Sequence, residues 1–288
     1  MLASEIAQNI ANALMAGSIY GLLAVSLALV FGILEVPQFA FGAHAMLGAY
    51  AVVWLSGLGY WPAVAGAVLL MAVLGGVVQL LVFDPLRNAP PATLFIAAFG
   101  LLLVLQGLAL ALFGPNPYAV APAMRGSVKI LGAFVTYQRI IVVVSAILAV
   151  IALNLFLRYS RIGRSIRAVG QSRTGALVVG LSPRRVAFVT MAIGSGLAGL
   201  AGALLAPISQ VYPTMSDALV LKAFIIIVLA GMGSINGALL GGFIVGLSEA
   251  FGAAYLSLSF KDAYPVLLFI LVLILRPQGL FGKTVRVG

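Results

Sequence analysis

Side chains able to make or break bonds are scarce in this chain. His44 is its single histidine and cysteine is absent, which rules out disulfides, thiolate metal sites and thiol catalysis. Neither His-Glu-x-x-His nor Gly-x-Ser-x-Gly occurs, and there is no second histidine to serve a nucleophile. Gly282, Lys283 and Thr284 match the end of a phosphate-binding loop, but Pro277 stands where the leading glycine belongs and no strand pattern precedes it. No catalysis, no bound cofactor and no metal are therefore expected of this chain. His44 reads as a satisfied side chain at a helix end or along a path.

What remains is charge placed in apolar sequence. Glu249 lies in an apolar run, where an ionised carboxylate costs about 2.5–3.5 kcal/mol on insertion scales, so it must face a partner or water. Lys222 lies near the end of another run and is expected to snorkel to the interface. A carrier driven by an ion gradient needs ionisable groups inside its spans, and only Glu249 is a good candidate. Energy for uphill transport is expected from another subunit.

The elements that must hold these groups are membrane spans. Hydrophobic residues make up 63% of the chain and charged residues 8%, against roughly 25% charged in soluble domains. The expectation is an all-α, polytopic transmembrane helical bundle of about 8–9 spans, forming a single integral membrane domain over residues 1–288. Apolar windows fall near 7–33, 38–57, 61–83, 92–113, 137–157, 184–206, 218–234, 237–256 and 263–276, each near the length needed to cross a bilayer except the short seventh and ninth. The start lacks a basic segment and its apolar run continues to Ile33, which reads as a retained first span.

Net charge is +10, but the basic residues sit in loops between spans, where they set topology; no nucleic-acid partner is expected. Arg158, Arg161, Arg164, Arg167, Arg173, Arg184 and Arg185 fall in one loop, 158–185, that holds no acidic residue. Such a loop belongs in the cytoplasm. That choice puts the N-terminus outside and the C-terminus inside, with Arg87, Arg276, Lys283 and Arg286 joining the loop on the inner side and only Arg125, Lys129, Arg139 and Lys261 on the outer. Within the loop a helix is expected from Arg164 to Val179, stopped by Gly180, as a docking surface. The outer loop from Gly114 to Thr136 holds Pro115, Pro117 and Pro122, so it is no simple helix; it serves either as a contact for an outside partner or as a plain connector.

Two segments look wrong for plain spanning helices. Val36–Val52 brings Pro37, Gln38, Gly42, His44 and Gly48 into the membrane, and Ala230–Gly246 carries glycines at 231, 233, 237, 241, 242 and 246. Discontinuous helices, one in each half of a chain, point to a transport site at the midplane. Candidate path residues are Gln38, Phe39, Gly42, His44, Gly231, Gly233, Ser234 and Asn236. Singly, small residues four apart, such as Gly194 with Ala198 and Gly242 with Gly246, also serve close helix packing.

Over essentially its whole length the chain resembles the permease subunits of ATP-binding-cassette importers of the branched-chain amino acid type, especially the shorter of the two permeases. The specific matches are Lys222, Ala223, Phe224; then Gly231, Gly233, Ser234, Gly237, Ala238; Gly246 and Glu249; and Arg276, Pro277, Gly279, Leu280, Gly282. Met46, Leu47, Gly48, Ala49 and Tyr50 also match, while Gln38 replaces an asparagine and Phe41 a histidine. The resemblance implies a prokaryotic inner-membrane permease that pairs with a second homologous permease. It implies delivery by a periplasmic or lipid-anchored binding protein, and drive from two cytoplasmic ATPases that bind the ATP and magnesium. It implies a coupling helix seated in an ATPase groove, with Arg164, Arg167, Thr174, Gly175, Ala176 and Gly180 as the coupling residues. Hydrophobic amino acids are the expected cargo. The substitutions at 38 and 41 leave urea, short amides and aromatic or other carboxylates open, and a stand-alone carrier needing no ATPase is the alternative mechanism.

Overall fold

The computed structural model describes residues 2–34, 38–130, 132–231, 233–276 and 278–280. Val36, Pro37, Pro277, Gly282, Lys283, Thr284 and Arg286, on which parts of the sequence reading rest, lie outside the described residues. In chain order the elements are α1 (Leu2–Leu34), α2 (Ala40–Leu55), α3 (Tyr60–Val78), α4 (Pro91–Phe113), β1 (Ser127–Ile130), β2 (Ala133–Thr136), α5 (Tyr137–Tyr159), α6 (Arg161–Gln171), α7 (Arg173–Val178), α8 (Pro183–Leu205), α9 (Met215–Ala230), α10 (Ile235–Tyr255) and α11 (Ala263–Leu275). Seven described helices are long and apolar enough to cross a membrane. The seventh and ninth apolar windows appear as the shorter α9 and α11, with 16 and 13 residues.

The helical bundle carries one addition to the all-α expectation. β1 and β2 form a two-stranded antiparallel hairpin, Ser127 opposite Thr136 and Ile130 opposite Ala133. It lies in the proline-rich loop, which is further pinned by a backbone bridge between Tyr118 and Val211. The hairpin packs on α1, where Gln8 accepts a hydrogen bond from the Phe134 amide at 3.1 Å. This face is termed the hairpin end; the opposite face, holding Arg87, α6 and α7, is termed the basic end.

Absent side chains set the packing. In a bilayer no hydrophobic difference drives one apolar helix against another, so close backbone approach and dispersion must do it. The most extensive pairing joins α1 to α10, where a Cβ added at Gly242 or Gly246 would run into the backbone of Gly17. The central helix is α2, buried along nearly its whole length. It meets α8 where Gly48 abuts Gly199 and where Gly202 abuts the Ala45 carbonyl, and it meets α9 where Gly42 abuts the Ser216 carbonyl. By contrast α4 and α5 are the least buried spans, leaving their apolar faces to lipid or a partner.

Candidate functional site

The basic loop folds as two helices instead of the single one expected from Arg164 to Val179. Ser160 caps α6 by accepting from the Gly163 amide at 2.8 Å, and Ser172 caps α7 by accepting from the Gly175 amide at 3.0 Å. A serine that can satisfy an orphan amide competes with helix continuation, so the chain breaks at Ser172. Gly180, at φ 79°, closes α7: its amide donates to the Leu177 carbonyl at 3.0 Å and the Leu181 amide to the Ala176 carbonyl at 2.9 Å. That left-handed stop favours glycine.

α6 buries Gly163, Ile166 and Val169, spaced by three, against the bundle and exposes Arg164 and Arg167. In α7 Thr174 and Gly175 are exposed, but Ala176 is 3% exposed and belongs to the core. Ala176 therefore anchors α7 to its own bundle. The side chains that α7 does present are Leu177, Val178 and Val179, the second 83% exposed.

Beside α7 opens a cavity of about 590 Å³. Its walls come from seven helices or their connections: Ile33 of α1, Gln38 before α2, Gln79 and Phe83 after α3, Leu94 of α4, Val169 of α6, Arg173 and Leu177 of α7, and Leu181 and Arg184 at the start of α8. Gln79–Phe83 is a wide π-type turn continuing α3, closed by the Asp84 amide donating to the Gln79 carbonyl at 2.8 Å. Such turns push a helix face outward and recur at functional sites. Asp84, also in the wall, meets Arg184 at 2.6 Å and Arg87 at 3.8 Å. Both amide atoms of Gln38 and the Oε1 of Gln79 are buried with no hydrogen-bond partner among the described residues.

Of the other path candidates, Phe39 lies edge-on to Phe95 at 4.9 Å and near Phe224 at 5.6 Å, joining α2 to α4 and α9. Gly42 is a packing contact with α9. His44 is fully buried, its Nδ1 2.7 Å from the Ala40 carbonyl and its Nε2 unpartnered among the described residues. The second segment does break a helix: Gly231 and Gly233 take φ 84° and 87° between α9 and α10, and Ser234 caps α10 through the Gly237 amide at 3.1 Å. Asn236 accepts from Asn154 of α5 at 2.9 Å. Gln38 alone among the eight candidates borders the cavity; Gly231, Gly233, Ser234 and Asn236 are not in its wall. Sequence reasoning missed Gln79 and Asp84, although a lone amide followed five residues later by a carboxylate in an apolar run was a visible signal.

Lys222 does not snorkel. It is 7% exposed and its ammonium donates to both Glu249 oxygens at 2.9 and 2.8 Å and to the Tyr20 hydroxyl at 3.0 Å, while meeting Asp262 at 2.9 Å. Tyr20 also places its ring face 4.7 Å from the ammonium, a cation–π contact. Burial wins because two carboxylates replace the water that the interface would have supplied. The cluster ties α1, α9, α10 and the turn before α11, and it supplies the partner that Glu249 requires.

A family model described as branched-chain amino acid transport system / permease component matches residues 9–275. The high-affinity branched-chain amino acid transport system permease protein LivH of Salmonella typhimurium is 33% identical, over 96% of this chain and 95% of that protein. The corresponding BraD of Pseudomonas aeruginosa is 30% identical over the same shares. LivM of Escherichia coli, a permease protein of the same kind of system, is 27% identical over 92% of this chain and 68% of its own length. No solved structure matches.

Proposed function

Since the chain belongs to the branched-chain amino acid transport permease family, we propose that it forms one half of the membrane pathway of an ATP-driven importer for branched-chain or other hydrophobic amino acids. Its other half is a second, homologous permease, a pairing supported by the likeness to both LivH and LivM. The basic end faces the cytoplasm, the N-terminus lies outside, and the membrane is the prokaryotic inner membrane. Cargo arrives from a binding protein at the hairpin end, and ATP with its magnesium is bound and hydrolysed by two cytoplasmic ATPases.

The observation that carries this reading is α7: a rigid, doubly capped helix whose inner side is anchored by Ala176 and whose outer side offers Leu177, Val178 and Val179 beside Arg164 and Arg167 of α6. Contiguous exposed valine and leucine away from the lipid-facing spans need a protein to cover them. Closure of an ATPase pair pulling on α7 is passed to α8, which Gly180 joins to it, and to α5 through α6. The two states of the bundle then differ in which contacts the ATPases make, and that difference shifts the population.

Reconstitution with the second permease, the ATPases and the binding protein tests this. Leucine, isoleucine or valine should stimulate ATP hydrolysis and enter proteoliposomes. Stimulation by urea or aromatic acids alone would reassign the cargo, and failure of any ATPase to associate would overturn the importer.

A further inference from the structure

We propose that the cavity at the basic end is a seat for an anionic phospholipid of the cytoplasmic leaflet, its phosphate held by Arg87, Arg173 and Arg184 and the glycerol end of its chains by the apolar wall beneath them. Assigning that leaflet to the cytoplasm rests on the permease reading above; the site itself does not.

Arginine outnumbers carboxylate around this cavity. Arg87, Arg173 and Arg184 line it against a single acidic side chain among the described residues, Asp84. Asp84 is already answered, by Arg184 at 2.6 Å and Arg87 at 3.8 Å. Arg173 meets no carboxylate among the described residues. Even counting Glu35, which lies outside the described residues and close in sequence to the wall residue Ile33, the arginines stay in excess. Surplus like charge around one cavity repels itself, and only a guest with net negative charge relieves it; a neutral or zwitterionic one leaves the surplus as it stands. The side chains of Arg87 and Arg184 are 52% and 60% exposed and Arg173 is exposed, so all three can turn toward a phosphate, whose oxygens the guanidinium fork matches.

Depth identifies the guest. The apolar part of the wall comes from the terminal turns of the spans that reach this face: Ile33 ends the span Ser4–Ile33, Phe83 ends Tyr60–Phe83, and Leu94 and Ala187 stand in the opening turns of Pro91–Phe113 and Pro183–Leu205. The arginines lie at or just beyond those ends, Arg87 between two spans, Arg173 in α7 and Arg184 in the first turn of α8. The lining therefore changes from hydrocarbon to cation over the depth at which a phospholipid changes from chains to phosphate. A soluble anion would use only the cationic part. An acidic segment of an ATPase would also stop at the arginines, because Leu94 and Ala187 lie within the spans. One wall is α4, the least buried of the seven spans, which gives lipid a route in. Basic pockets between spans on the cytoplasmic side hold anionic headgroups in this way, and about 590 Å³ falls within the roughly 300–1,000 Å³ of small-molecule sites.

The test is titration of the purified full chain in neutral detergent with phosphatidylglycerol or phosphatidylcholine, bound lipid being counted by native mass spectrometry. Phosphatidylglycerol should bind at least about tenfold more tightly than phosphatidylcholine. Arg87→Gln with Arg173→Gln should weaken it by about tenfold or more, whereas Arg158→Gln with Arg161→Gln, which removes the same charge outside the wall, should leave it unchanged. Arg173→Glu breaks no ion pair and puts an acid in the first turn of α7, where helices favour one; it should weaken phosphatidylglycerol binding as much without lowering the melting temperature. Equal binding of the two lipids, equal loss in both double variants, or displacement by an equal concentration of glycerol 3-phosphate would overturn the site. Unchanged lipid binding by Arg173→Glu together with lost ATPase association would overturn it in favour of an acidic partner segment. No ATPase, cargo or leaflet enters the lipid titration, so its failure leaves the importer standing, and failure of the importer leaves the lipid site standing.

Discussion

Lys222 shows how a residue's surroundings decide whether a charge is tolerated in a membrane. A four-carbon stem near a span end normally carries its ammonium to water, yet here Glu249 and Asp262 close around it within 2.9 Å. Removing one partner of such a buried pair leaves the other uncompensated, at about 3–5 kcal/mol, whereas replacing both with apolar side chains is often neutral. Lys222→Met should therefore lower the melting temperature of the purified protein sharply, and Lys222→Met with Glu249→Met should recover most of the loss. A double variant as unstable as the single one would show that the pair is not the source. The sequence made the need of Glu249 for a partner legible, but not which partner: Lys222 is 27 residues away on another helix, and no periodicity connects them. Tyr20, 202 residues from Lys222, was further out of reach for the same reason.

Helices were the most legible scale, because each apolar window is long enough to announce itself and the chain has few ways to satisfy its backbone in lipid. Their breaks were less so. Ser172 interrupts the basic loop by capping α7, a local choice between two hydrogen-bonding arrangements that composition does not resolve. Among the glycines offered as path candidates, Gly231 and Gly233 break a helix while Gly42 lets α2 touch α9, as Gly242, read as a packing residue, lets α10 touch α1. Gly202 offers the sharpest contrast with an idle glycine. A methyl group there would overlap the Ala45 carbonyl, while one at Gly100 of α4 meets nothing within 4 Å. Gly202→Ala should force α2 from α8 and cost about 1–3 kcal/mol as overpacking does, whereas Gly100→Ala should be neutral or stabilise by about 0.5–1 kcal/mol through helix propensity. Thermal melts of the two variants measure the difference, and equal melts would refute the close α2–α8 contact. At the end of α7, Val178→Asp with Val179→Asp touches no buried contact, since both side chains are exposed and neither lines the cavity. This variant should keep its melting temperature and lose ATPase association, which pull-down against the partner ATPases would read; retained association would remove α7 from the coupling role.

At the scale of the whole molecule the charges and the helix directions must agree, and they do. The spans alternate so that Arg87 and the loop 158–185 fall at one end, while the hairpin with Arg125 and Lys129 falls at the other. Positive charge resists translocation, which is the ground for the proposal that the richer end faces the cytoplasm. The proposed orientation rests on charge alone, because it depends on where basic residues lie between spans and not on how the spans pack. The absence of cysteine makes it directly measurable: a single introduced thiol is the only target for a membrane-impermeant maleimide. Thr174→Cys on exposed α7 and Arg125→Cys in the exposed segment before β1 mark the two ends. In right-side-out vesicles Arg125→Cys should label at once and Thr174→Cys only after the membrane is opened. The reverse order would place α7 outside, where no ATPase could reach it, and with it would fall the importer mechanism and the entry of cargo from the hairpin end.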